Sequence, residues 1–137
     1  MKNYEIFSTT ADIGIRFSGR DFGSLYKNAV AGLNAVLFGT ANIQPEAGSS
    51  RHFHFKGDSA ENVLVNLLAE VLSLAYQKKQ QVVAMEFFSA DMSSLEADFR
   101  LAAIASAPAV DIKAVTYHKL RVVEKDGLKK AAVLFDI

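Results

Sequence analysis

Two stretches of this sequence repeat their apolar residues at helical spacing, and that pattern limits the possible folds more than any other feature. From Phe22 the apolar positions run Phe22, Leu25, Tyr26, Ala29, Val30, Leu33, Val36 and Leu37, which fall on one face of a 3.6-residue turn. Asp21 stands where a carboxylate can accept the free N–H groups of a first turn, and Gly39 where a left-handed residue ends a helix. The second stretch covers about residues 59–79, with Val63, Leu64, Leu67, Leu68, Val71, Leu72 and Ala75 on its apolar face. Asp58 and Glu61 have the spacing of a capping box there, and Lys78 and Lys79 suit the negative end of the helix dipole. Asn62, Asn66, Glu70, Ser73 and Gln77 form a polar stripe, expected to face solvent. Each apolar face must be buried against another element.

The remaining segments read as strands. Residues 4–8, 13–18, 52–55, 82–88 and 96–104 are short, bounded by turn residues, and in part alternate apolar with polar side chains. Residues 115–124 and 129–136 flank Asp126-Gly127, the dipeptide that most favours a tight hairpin. Residues 41–50 and 105–111 are expected loops, each holding one of the two prolines. Strands gathered around two helices, without regular alternation, predict an α+β fold. The expected form is one layered domain over residues 1–137, of mainly antiparallel strands with two main helices.

Composition removes several function classes. Hydrophobic residues make up 50% and charged residues 22% of the 137, so the chain is not of the disordered type. A chain this long can bury roughly two-thirds of its surface. Fifteen basic residues cancel fifteen acidic ones, which argues against binding to nucleic acid or membrane by overall charge, although a neutral total can hide a local patch. The absence of cysteine excludes disulfides, thiolate nucleophiles and cysteine-bound zinc or iron–sulfur centres. Any metal must be held by oxygen or imidazole. The first residues lack the apolar run of a signal peptide, and the longest apolar segment is interrupted by Asn66 and Glu70. The expected location is cytoplasmic.

No phosphate loop, dinucleotide fingerprint, nucleophile elbow or zinc-protease helix is present. The stretch from Gly19 to Gly23 is too short for a nucleotide cradle and reads as a turn into the first helix. His52 and His54 would share one face of a strand, but two ligands without a third do not make a metal site. That face reads as solvated, beside buried Phe53 and Phe55. His118, next to Tyr117 on an expected strand, reads as structural. Glu70 is either part of the solvent-facing stripe or a carboxylate lining a cleft. The most specific features lie near the ends: Thr9-Thr10-Ala11-Asp12-Ile13-Gly14 between two short strands, and Asp136-Ile137 after the apolar run 131–135. A free carboxylate on Ile137 beside Asp136 would place two negative groups together, an arrangement that needs a cation or a metal nearby.

Thr-Ala-Asp-Ile-Gly at 10–14, the segment Ile112-Lys113-Ala114-Val115-Thr116-Tyr117-His118, and the final Leu134-Phe135-Asp136-Ile137 together resemble the archease family. The stretch 25–33 is similar to the first helix of that family, and the likeness covers essentially the whole chain. The resemblance implies a non-catalytic accessory protein in tRNA processing and tRNA splicing, partnered by an RtcB-type tRNA-splicing ligase. It would promote guanylylation and multiple turnover of that ligase, meeting RNA only indirectly through it. The resemblance also implies a divalent cation (calcium, magnesium or manganese) on Asp12, Asp136 and the Ile137 carboxylate, and a functional Lys113. The chain departs from the family pattern at Ser8 and Thr9, where Asp-His is usual, and at Asn66 and Leu67, where an acid and a tryptophan are usual; Glu70 is retained. Two other readings stand beside this one. One is a small metal-dependent hydrolase-like enzyme with His118 or Lys113 near its substrate. The other is a chaperone-like module with a structural ion.

Overall fold

The computed structural model describes residues 3–39 and 48–137. Among these residues eight strands and two helices run in the order β1 (Tyr4–Ser8), β2 (Asp12–Gly19), α1 (Phe22–Phe38), β3 (Ser49–Lys56), α2 (Ala60–Gln77), β4 (Gln80–Ala90), β5 (Ser94–Ala103), β6 (Ala114–Thr116), β7 (Val123–Lys125) and β8 (Leu128–Asp136). They form two sheets, both antiparallel throughout. The larger has the order β1-β2-β8-β6, with β7 also paired to β8; the smaller is β3-β5-β4. Both helices pack against strands of both sheets and lie between them. This is the α+β layered domain that the sequence pattern predicts.

The two apolar faces explain this middle position. Leu25, Tyr26, Ala29, Val30, Leu33, Val36 and Leu37 of α1 are buried, as are Val63, Leu64, Leu67, Leu68, Val71, Leu72 and Ala75 of α2. They meet Ile15, Phe17, Val133 and Phe135 from the larger sheet and Phe53, Leu95, Ala97, Phe99 and Leu101 from the smaller. Within this core Tyr26 keeps a partner: its hydroxyl donates to the Asp91 carbonyl at 2.6 Å, tying α1 to the β4–β5 turn. Burial pushes the Tyr26 phenol well above its ordinary pKa, so it remains a donor.

Asp21 caps α1 as expected, its Oδ1 accepting from the Ser24 N–H at 2.8 Å, and Gly39 ends the helix with φ 73°. The backbone hydrogen bond from Ser24 holds the Asp21 carboxyl below the usual carboxylate range. The stability it lends is therefore present at neutral pH and lost as pH falls through that lowered value. At α2 the expectation is corrected. Ser59, not Asp58, is the cap: its Oγ accepts from the Asn62 N–H at 3.1 Å. Glu61 is consequently one position early for a capping box and instead accepts the Val122 N–H at 2.7 Å. The helix closes at Gln77, and Lys79 donates through Nζ to the Tyr76 carbonyl at 3.0 Å.

Two other boundaries differ. Ser49 and Ser50, placed in a loop from sequence, open β3, while residues 41–47 of that expected loop lie outside the described residues. The continuous strand expected over 115–124 is broken into β6 and β7, because residues 117–122 turn away to bond with α2. Tyr117 and His118 thus lie in a turn, not on a strand. The Asp126-Gly127 hairpin is present, both residues having positive φ (56° and 76°), as the tight turn requires. Among the described residues no helix is long and apolar enough to cross a membrane. The cap assignment is open to measurement by chemical denaturation. Ser59→Ala should cost about 1 kcal/mol, while Asp58→Ala should stay within about 0.5 kcal/mol of wild type.

Candidate functional site

The larger sheet has one face on the helices and one open to solvent, and the register of β2 with β8 decides which side chains stand on each. Ile13 pairs with Phe135, Ile15 with Val133 and Phe17 with Ala131, all toward the helices. The alternate residues therefore point outward, including Asp12 directly opposite Asp136. On the other side of β8, Ala114 pairs with Asp136. The Lys113 N–H donates to the Asp136 carbonyl at 2.7 Å, which holds that lysine beside the same end of the sheet. Three of the residues singled out from sequence are thus brought together, Asp12 lying more than a hundred residues along the chain from the other two.

Local chemistry shapes the Asp12 end. The β1–β2 turn is closed by Thr9, whose N–H donates to the Asp12 carbonyl at 2.9 Å and whose Oγ1 accepts from the Asp12 N–H at 3.1 Å. The threonine thereby fixes the backbone that presents Asp12. Gly14, next outward on β2, lies under the Phe7 ring, and any Cβ there would run into it. The Arg16 guanidinium sits 3.9 Å from the centre of the same ring on its way to Glu5, 2.9 Å from Nη1.

Asp12 is half-buried and Asp136 exposed. Neither carboxylate makes a hydrogen bond or ion pair among the described residues, and two like charges stand opposite each other across the ladder. That is a destabilising arrangement. The donor set fits a hard divalent cation, which takes carboxylate and carbonyl oxygens. Two side chains alone do not complete a coordination shell, and among the described residues no three His, Cys, Asp or Glu side chains gather as a metal site. A third protein oxygen would have to come from the main chain.

The remaining candidates stand apart. Glu70 is half-buried on α2, and His118 is exposed, its N–H donating to Thr116 Oγ1 at 3.3 Å. No hydrogen bond or ion pair joins either of them to Asp12, Lys113 or Asp136. The polar stripe of α2 is more than a solvated row. Asn62 donates to the Tyr117 hydroxyl at 2.6 Å and Asn66 to the Lys56 carbonyl at 3.3 Å, so both help hold neighbouring segments.

Two features escape sequence reading. His52, expected simply to be solvated, bonds through Nδ1 to Asp98 at 2.7 Å and through Nε2 to Glu96 at 2.8 Å on the open face of the smaller sheet. The hydrogen bond to Asp98, and then that to Glu96, raise its pKa above the ordinary histidine value. Any stabilisation from this bridge is present below the unfolded histidine's pKa and lost as pH rises through the raised value. The other is a group of cations on the open face of the larger sheet. Its signal in the sequence was the alternation of Lys119 and Arg121 with Leu120 and Val122.

The archease protein family model (MTH1598/TM1083) matches residues 4–137. The protein archease of Methanothermobacter thermautotrophicus is 25% identical over 145 residues, covering all of both chains. That of Methanosarcina mazei is 28% identical, covering 99% of this chain and 97% of its own. Among solved structures, protein 1598 of Methanobacterium thermoautotrophicum superposes with a TM-score of 0.76 at 24% identity, over the full length of both. A Thermotoga maritima archease described as a possible chaperone gives 0.68 at 20% identity, over 97% of this chain and 96% of its own. These two likenesses establish the shared fold.

If the facing carboxylates repel, relieving one charge should stabilise the metal-free protein. Asp12→Asn in chelator-containing buffer should raise unfolding stability by about 0.2–1 kcal/mol. The gain should shrink in 1 M salt, where exposed charges are screened. A loss of stability would mean that Asp12 serves the turn and not a charge pair.

Proposed function

Since this chain belongs to the archease protein family, we propose that it is an accessory protein, not itself a ligase, that raises the guanylylation and turnover of an RtcB-type RNA ligase in tRNA splicing or RNA repair. The observation that carries this reading is the family match over residues 4–137. In support, Asp12, Asp136 and Lys113 lie at one end of an open sheet face, where a partner protein can reach them. Asp12 and Asp136, with the Ile137 carboxylate, would hold a divalent cation. The ion supplies a positive centre with open positions that a partner's oxygen can fill. Lys113 adds an exposed cation beside it.

Ligation of an RNA substrate with the ligase limiting tests the reading. Adding this protein should increase product beyond one turnover per ligase, and Lys113→Ala should weaken that effect while leaving the melting temperature within about 2 °C, because exposed lysines contribute little to stability. No gain in turnover with the ligase of the same cell would overturn the proposal. The Thermotoga maritima relative described as a possible chaperone supports a second reading, which the same experiment separates. A chaperone would raise the amount of soluble ligase and leave the rate per active molecule unchanged.

The cation has its own test. Calcium, magnesium and manganese are titrated separately into chelator-stripped protein while thermal unfolding is followed. At least one should raise the melting temperature through preferential binding to the folded state, and Asp12→Ala should remove most of the gain. Equal shifts in both proteins would leave the acidic pair without a metal role.

A further inference from the structure

The open face of the larger sheet carries a trough that the acidic pair does not use. It lies toward the opposite end of β2 and β8 from Asp12 and Asp136, and its volume is about 870 Å³. Arg16 on β2, Lys130 on β8, and Lys119 and Arg121 from the turn between β6 and β7 line it. The turn is anchored so that these last two side chains are presented outward. Leu120 and Val122 pack against the core. The Val122 N–H is held by Glu61 at 2.7 Å, and the Leu120 N–H by the Tyr117 carbonyl at 3.0 Å. With the apolar residues committed inward, Lys119 and Arg121 stay exposed.

The charge is one-sided. Glu5 is the one acidic residue among those lining the trough, and it is engaged with Arg16. Lys119, Arg121 and Lys130 make no ion pair among the described residues. Arg16 is itself steadied on the Phe7 ring, which fixes its planar fork on the sheet surface. In a chain of zero net charge, four cations around one occupied anion are a local concentration, not a reflection of the average.

We propose that this trough holds a single-stranded RNA by its phosphates, without reading its sequence. A phosphodiester strand carries one charge per nucleotide, so successive phosphates can meet successive cations along an open groove. An acidic protein segment also offers carboxylates that the arginine forks can grip, but its charges recur less regularly along the chain than those of a phosphodiester strand. That the polyanion is RNA rests on the ligase reading above; the contact itself rests on the trough. The chain would then touch RNA directly, at one end of the sheet face whose other end carries Asp12 and Asp136.

Fluorescence anisotropy of a labelled, unstructured RNA 12-mer tests this with the full chain, in chelator and without ligase. Affinity should rise as salt falls, with a log–log slope of about −2 to −3 for three or four phosphate contacts on a single strand. Removing two cations in Lys119→Ala/Arg121→Ala should flatten the slope by about 1.4 and cost about 25-fold in affinity at 0.1 M salt. Lys130→Ala, on a regular strand, should cost about fivefold and guards against a turn that fails to form in the double variant. Lys27→Ala/Lys78→Ala, on α1 and just past the end of α2, should bind like wild type. Binding that is absent at 0.1 M salt, or equal in wild type and the trough variants, would overturn the proposal. So would displacement of the RNA by poly-glutamate more readily than by unlabelled RNA, which would assign the trough to an acidic protein partner. No ligase is present, so a failure here leaves the turnover result standing, and a failed turnover assay leaves this one standing.

Discussion

The eight-residue antiparallel ladder between β2 and β8 is the pairing on which the other features of this protein depend. Side chains along a strand alternate between faces, so this one register assigns Ile15, Phe17, Val133 and Phe135 to the core and Asp12, Arg16, Lys130 and Asp136 to the open face. A slip of one residue would exchange the two sets, burying four charged side chains and exposing the apolar ones. The hydrophobic cost of that exchange pins the register, and the outward residues are positioned as a consequence. The outer face thus draws its order from the inner one.

The helix layer does more than fill the space between the sheets. Polar side chains along its margins hold the irregular segments that border the open face. Glu61 fixes the backbone at Val122, Asn62 meets Tyr117, and the Tyr76 hydroxyl donates to the Val110 carbonyl at 2.7 Å while accepting from the Ile112 N–H at 2.9 Å. These bonds satisfy backbone groups that strand pairing leaves free. They also set the path of the chain before and after β6, which carries Lys113 on one side and Lys119 and Arg121 on the other. These bordering segments lie outside the regular ladder but are positioned by the helices behind it.

Charge is distributed along the open face in a way that the neutral total conceals. One end presents two facing carboxylates, suited to a hard cation or to a partner's basic group; the other presents an excess of arginine and lysine. A surface with opposite signs at its two ends can orient a polyanionic complex as well as attract it. Such a surface suits an accessory protein that must present itself to another molecule in one direction. The second face, around His52, Glu96 and Asp98, is by contrast internally balanced by its own hydrogen bonds.

Periodicity determined the two helices and their buried faces, and local residue type the Asp21 cap and the Asp126-Gly127 hairpin, because each depends on residues within a few positions of one another. Composition alone removed cysteine chemistry. The match of motifs pointed to the family. Local signals could not resolve whether Asp58 or Ser59 caps α2, since both residue types accept N–H bonds and only the chain's approach to the helix decides between them. Nor could they show that residues 117–122 leave the sheet, because the alternation of Leu120 and Val122 with Lys119 and Arg121 reads equally well as a strand; the bond from Val122 to Glu61, 61 residues away, is what turns them. The meeting of Asp12 with Asp136, and of Arg16 with Lys130 and Arg121 around one trough, belongs wholly to tertiary structure. Cross-strand neighbours are chosen by the burial of the opposite face, and that burial is a property of the assembled core rather than of any one segment.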